Sequence, residues 1–111
     1  MQHDELIAQI DEAYRSLKTT SEELASTDRA LSEHVRGVRI KIADTLLDAK
    51  NERTANLYLE GALDSEDYRR LLTDKECADL EHQHARREVE RLHLVVKVLS
   101  APASLPTGAS S

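Results

Sequence analysis

Glu81-His82-Gln83-His84 sets a carboxylate and an imidazole three residues apart, and Cys77, Glu81, His84 and Glu88 recur at i, i+4, i+7 and i+11. On a helix that spacing gathers the four side chains toward one face. Carboxylate, imidazole and thiolate together are metal-ligand chemistry. Cys77 has no histidine–acid arrangement around it that would make it a nucleophile. The chain also lacks a glycine-rich phosphate loop, a Gly-x-Ser-x-Gly elbow and a Cys-x-x-Cys pair. No catalytic residue is assigned, and no enzyme activity or cofactor is expected.

Glu81 and His84 reproduce the Glu-x-x-His spacing with which ferritin-like di-iron helices hold a metal inside a bundle. The resemblance covers this one motif and implies a metal only if both side chains face a core. Ala78, Ala85, Val89 and Leu92 set the core direction of this segment. At 100° per residue, Glu81 points roughly 90° and His84 roughly 130° away from it. A solvated charged face is therefore the preferred reading, with Glu81 and His84 kept as weak metal candidates. His82, in contrast, faces the core direction.

The elements that position these residues are helices. Stepping by three and four from Ile7 reaches Ile10, Tyr14, Leu17, Ser21, Leu24, Asp28, Leu31, Val35, Val38, Ile42, Thr45 and Ala49. Most of these positions are apolar, a heptad pattern that predicts a helix over about 4–49. Thr20 and Glu23 read as a capping box that could break it near residue 20, and Gly37 weakens its interior. The alternation Val38-Arg39-Ile40-Lys41-Ile42 has a strand's period but nothing to pair with. A short helix over 52–60 is predicted to stop at Gly61 and a turn to span 61–64. Asp64 would cap the next helix, with Leu63 and Tyr68 as a hydrophobic staple. A second heptad frame, Leu71, Lys75, Ala78, His82, Ala85, Val89, Leu92, Val96 and Leu99, carries that helix over 65–100. Pro102 and Pro106 then end it, leaving 101–111 as a flexible tail.

The expected fold is thus all-α: one domain over 1–100, a long antiparallel, coiled-coil-like helical hairpin. A fold-back about residue 62 would leave residues 4–24 overhanging. Leu6, Ile7, Ile10, Tyr14 and Leu17 would then lack an intrachain partner, and each would favour burial by about 1.5–3 kcal/mol. Leu94, Val95 and Val98 make the far end of the last helix apolar nearly all round. These eight residues are the expected oligomer interface. The bundle would be completed by self-association, a dimer being preferred, or by an N-terminal helix folded back at Thr19–Ser21.

Composition narrows the function. The 111 residues suffice for one small domain, and there is no Phe or Trp. A net charge of −6 argues against general nucleic-acid binding. No segment approaches the roughly 20 apolar residues of a membrane span. The first residues lack the features of a signal peptide and Cys77 is the single cysteine, so a reducing cytoplasm is expected. In the same hairpin, Arg36, Arg39 and Lys41 would lie opposite Arg86, Arg87 and Arg91 among four histidines. This basic belt is the candidate partner-binding surface, set against an acidic turn end. The expectation is a non-enzymatic oligomeric adaptor, assembly or regulatory protein with an unidentified protein partner, of a kind common among bacterial and phage accessory proteins. The alternatives are an acidic helical inhibitor or nucleic-acid mimic, and a metal-binding four-helix assembly of two hairpins.

Overall fold

The computed structural model describes residues 2–100, and the predicted tail over 101–111 lies outside them. Among the described residues four helices follow in order: α1 His3–Lys41, α2 Ala43–Leu47, α3 Glu52–Leu63 and α4 Glu66–Ser100. Among the described residues there is no strand, so Val38–Lys41 is helical despite its alternation. The all-α expectation holds.

α1 starts with Asp4 and Glu5 in its first turn and ends with Arg39 and Lys41 in its last, charges that complement the helix dipole. It does not break near residue 20. The Thr20 hydroxyl donates to the Ser16 carbonyl at 2.8 Å, so the threonine satisfies itself within the helix. It does end eight residues before the predicted boundary, at Lys41. The β-branched Val38, Ile40 and Ile42 lower helix propensity there, and Ile42 leaves the helical region with ψ at 19°.

Two further corrections concern caps. The Asn51 side chain accepts from the Thr54 amide at 2.8 Å and starts α3. α3 then runs through Gly61 to Leu63, so the turn contracts from 61–64 to Asp64 and Ser65. Gly61 has no positive φ and is an ordinary helical residue. Ser65, one residue after the predicted cap, accepts from the Tyr68 amide at 3.1 Å and opens α4. Asp64 instead takes an Arg69 guanidinium hydrogen bond at 2.7 Å.

The described residues divide into two compact units, 2–21 with 81–100 and 22–80. In the first, Leu6, Ala13, Val89 and Leu92 form the core, with Ile10, Leu17, Val95 and Val96 packed against it. In the second, Leu63 and Ala78 are buried, and α2 and α3 pack on each other. α1 and α4 run antiparallel within each unit. Tyr14 meets His93 and Thr20 meets His82 in the first; Asp28 meets Lys75 and His34 meets Tyr68 in the second.

This register removes the overhang. A fold-back about residue 62 would set His93 level with about residue 32, whereas its ring is bonded to Tyr14. Residues 42–65 form α2, α3 and their connections instead of extending two long helices. Leu6, Ile10 and Leu17 are consequently covered within the chain.

Burial along α4 follows the predicted frame from Leu71 to Val96, but Leu99 is exposed. Along α1 half the frame moves by one residue: Leu6, Ala13, Thr20 and Thr27 turn inward where Ile7, Tyr14, Ser21 and Asp28 were expected. Asp28 is then free to reach Lys75 at 3.0 Å.

Two substitutions test this packing. Leu92 is 1% exposed and Leu94 is 62% exposed. Leu92→Ala should cost about 2–5 kcal/mol in urea unfolding, and Leu94→Ala less than about 1 kcal/mol. Gly37 sits inside α1, and a Cβ added there would meet nothing within 4 Å. Gly37→Ala should therefore raise stability by about 0.5–1 kcal/mol in the same assay.

Candidate interaction surfaces

In the first unit, the α1–α4 seam has a groove on each side. One is an open hollow of about 630 Å³ lined by Gln9, Glu12, Ala13, Ser16, Thr20, Glu81, His84, Ala85 and Glu88. Ala13 and Ala85 are buried and give it a small-residue floor. Glu81 and His84 thus flank the seam on its acidic side.

The carboxylates of this groove are partly engaged. Glu12 takes an Arg15 guanidinium hydrogen bond at 2.9 Å. Glu88 takes two from Arg91, at 2.6 and 3.0 Å. The Arg91 hydrogen bonds hold the Glu88 carboxyl below the usual carboxylate range and raise the Arg91 guanidinium. Among the described residues, no group of three or more His, Cys, Asp and Glu side chains is placed to hold a metal ion. Thr20 commits its one proton to a backbone carbonyl, so it is not poised as a nucleophile.

The second groove, about 470 Å³, is lined by Tyr14, Leu17, Lys18, Ser21, His82 and Arg86. Its rings are held in place. His82 Nδ1 lies 3.2 Å from the Thr20 hydroxyl oxygen. That hydroxyl donates to the backbone, so its oxygen accepts from His82 Nδ1–H and leaves Nε2 for other partners. His93 shares a hydrogen bond with the Tyr14 hydroxyl, the two ring centroids 5.8 Å apart.

The end of α4 carries a third surface. Arg91, Leu94, Val95, Val98 and Leu99 border an almost wholly apolar hollow of about 300 Å³. Val95 also packs on the core, whereas Leu94 and Val98 are exposed. Of the other residues expected at an oligomer interface, Leu6 lies in the core and Ile10 and Leu17 pack against it, while Ile7 and Tyr14 are about half exposed.

The basic belt is divided. Arg36, Arg39 and Lys41 belong to the second unit, and Arg86, Arg87 and Arg91 to the first, so neither unit holds both halves. Arg36 and Arg39 border a shallow hollow with Leu31, Ser32 and Val35 on one face of α1. Arg86 lines the same groove as Lys18 and Ser21, and Arg91 is bound to Glu88. In the second unit the His34 ring stacks on Tyr68 at 6.0 Å, and His34 Nε2 is buried without a partner. A fold-back about residue 62 would set Arg86 level with about residue 39, whereas Arg86 shares its groove with Lys18. The alternative α1 frame, reading inward through Ala13 and Thr20, would have placed Lys18 beside the seam.

The Glu88–Arg91 pair predicts a pH signature. With its folded pKa below the unfolded one, Glu88 contributes fully above the unfolded value of about 4.3. That contribution is lost as pH falls through the folded value. Carboxyl NMR titration should give Glu88 a midpoint below an ordinary glutamate, and Arg91→Gln should bring it up toward the ordinary glutamate range. An unchanged midpoint in that variant would remove Arg91 as the cause.

No protein-family model matches the chain, and no curated protein or solved structure matches it either.

Proposed function

We propose that this chain is a non-enzymatic helical adaptor or assembly protein that works through protein–protein contacts and self-associates through the end of α4. The observation that carries this reading is the division of residues 92–99. Leu92, Val95 and Val96 turn toward the unit's core, while Leu94, Val98 and Leu99 turn to solvent. A helix end apolar on both sides favours a second neighbour, and the intrachain neighbour covers one side only.

A second copy is the simplest such neighbour. Two α4 ends meeting about a two-fold axis bury the same side chains on each partner and close the assembly at a dimer. No helix among the described residues is long and apolar enough to cross a membrane. The cytoplasm, where Cys77 stays reduced, is the proposed setting.

The test is mass against concentration by light scattering. With a Kd near 1 μM, the protein at tens of micromolar should be mostly dimer. Leu94→Asp with Val98→Asp should give a monomer of unchanged helicity, since both positions are exposed. A wild-type monomer at that concentration defeats the self-association reading.

A further inference from the structure

The groove that holds Lys18 and Arg86 differs in charge from the groove across the same seam. The chain has 21 acidic and 15 basic residues, yet no carboxylate lines this groove. Its two cations come from different helices, and among the described residues neither forms an ion pair. The groove on the other side of the same seam carries three glutamates. The first unit therefore presents one acidic and one basic side.

The basic groove is also organised. Leu17 and Tyr14 give it an apolar wall, and Ser21 gives it a hydroxyl. Thr20 fixes the His82 ring, leaving Nε2 as its free nitrogen. Such a surface accepts a carboxylate between two cations and an apolar side chain beside it. A crevice between antiparallel helices suits a third helix laid along it.

From these features we infer that the Lys18–Arg86 groove docks an acidic amphipathic helix of a partner protein. Carboxylates of that helix meet Lys18 and Arg86, and a leucine-sized side chain one turn away lies on Leu17. Charge complementarity selects this occupant. A nucleic-acid backbone would need a longer row of cations to offset the chain's net charge of −6. A lone phosphate would leave the Leu17–Tyr14 wall unused. The inference rests on the chain being a protein-binding module but not on its self-association.

The probe is a synthetic helical peptide of about 18 residues made of Glu, Leu and Ala, a length that can be helical alone. Its twin carries Gln for every Glu. Both are titrated into the full 15N-labelled chain. The acidic peptide should shift the amide signals around Lys18, Ser21, His82 and Arg86, and the Gln twin should not. Lys18→Glu and Arg86→Glu should each weaken binding about tenfold. Raising salt from about 0.01 M to about 1 M should abolish it, as the screening length falls from about 30 Å to about 3 Å. Arg36→Glu, in the other unit, should leave binding unchanged.

Leu94→Asp with Val98→Asp keeps the groove intact, so binding that survives in this variant separates docking from self-association. Absence of shifts at millimolar peptide overturns the inference, as do shifts confined to residues 91–99. Tighter binding of oligothymidylate than of the peptide, through the same four residues, overturns it in favour of nucleic acid.

Discussion

The mutual covering of α1 and α4 is the constraint from which the other features follow. The chain has no Phe or Trp to fill a wide core, so burial has to come from two helices lying close together. Ala13 and Ala85 are buried at the seam of the first unit and Ala78 is buried in the second, and alanine is what permits a close approach. Leu92 supplies the fully enclosed bulk. Thr20 and Thr27 occupy inward positions because their hydroxyls bond to carbonyls of their own helix. Once α4 lies level with α1 in this register, the composition of each groove is decided. Lys18 comes to share a groove with Arg86, and Glu12 comes to share a hollow with Glu81 and Glu88.

Helix identity was legible in the sequence because the apolar spacing is regular and Gly and Pro are scarce. The α4 frame was readable nearly to its end, since Ala78, Ala85, Val89 and Leu92 are apolar and well spaced. α1 misled at alternate positions. Ile7 and Tyr14 are larger than Ala13 and Thr20, and bulk outweighed fit in choosing the frame. A seam this narrow favours the smaller residue inside and leaves the tyrosine at the rim, where its hydroxyl reaches His93. Register was not legible. It depends on residues 42–65 forming two short helices, and Asn51 as a cap is the local signal for that change.

The candidate site was legible by residue type more than by grouping. Arg86 and His82 were picked out, but their neighbours depend on register, and an error there moves every cross-helix pair. Surfaces formed within one helix survived the error. Leu94 and Val98 are one turn apart on α4 and are exposed whatever α1 does. Glu88 and Arg91 are likewise three residues apart on one helix, so their pairing follows from spacing alone. Cross-helix chemistry is the part that had to come from the structure.

α1 is one hydrogen-bonded helix through residues of both compact units. Adding or deleting a single residue within it would turn everything on one side by about 100° about the helix axis. Leu6, Ile10 and Leu17 would no longer share a stripe with Leu24, Leu31 and Val38. Related sequences should therefore vary in length at 48–51 and 64–65, between helices, and gaps inside α1 should come only in sets of about seven residues that restore the phase.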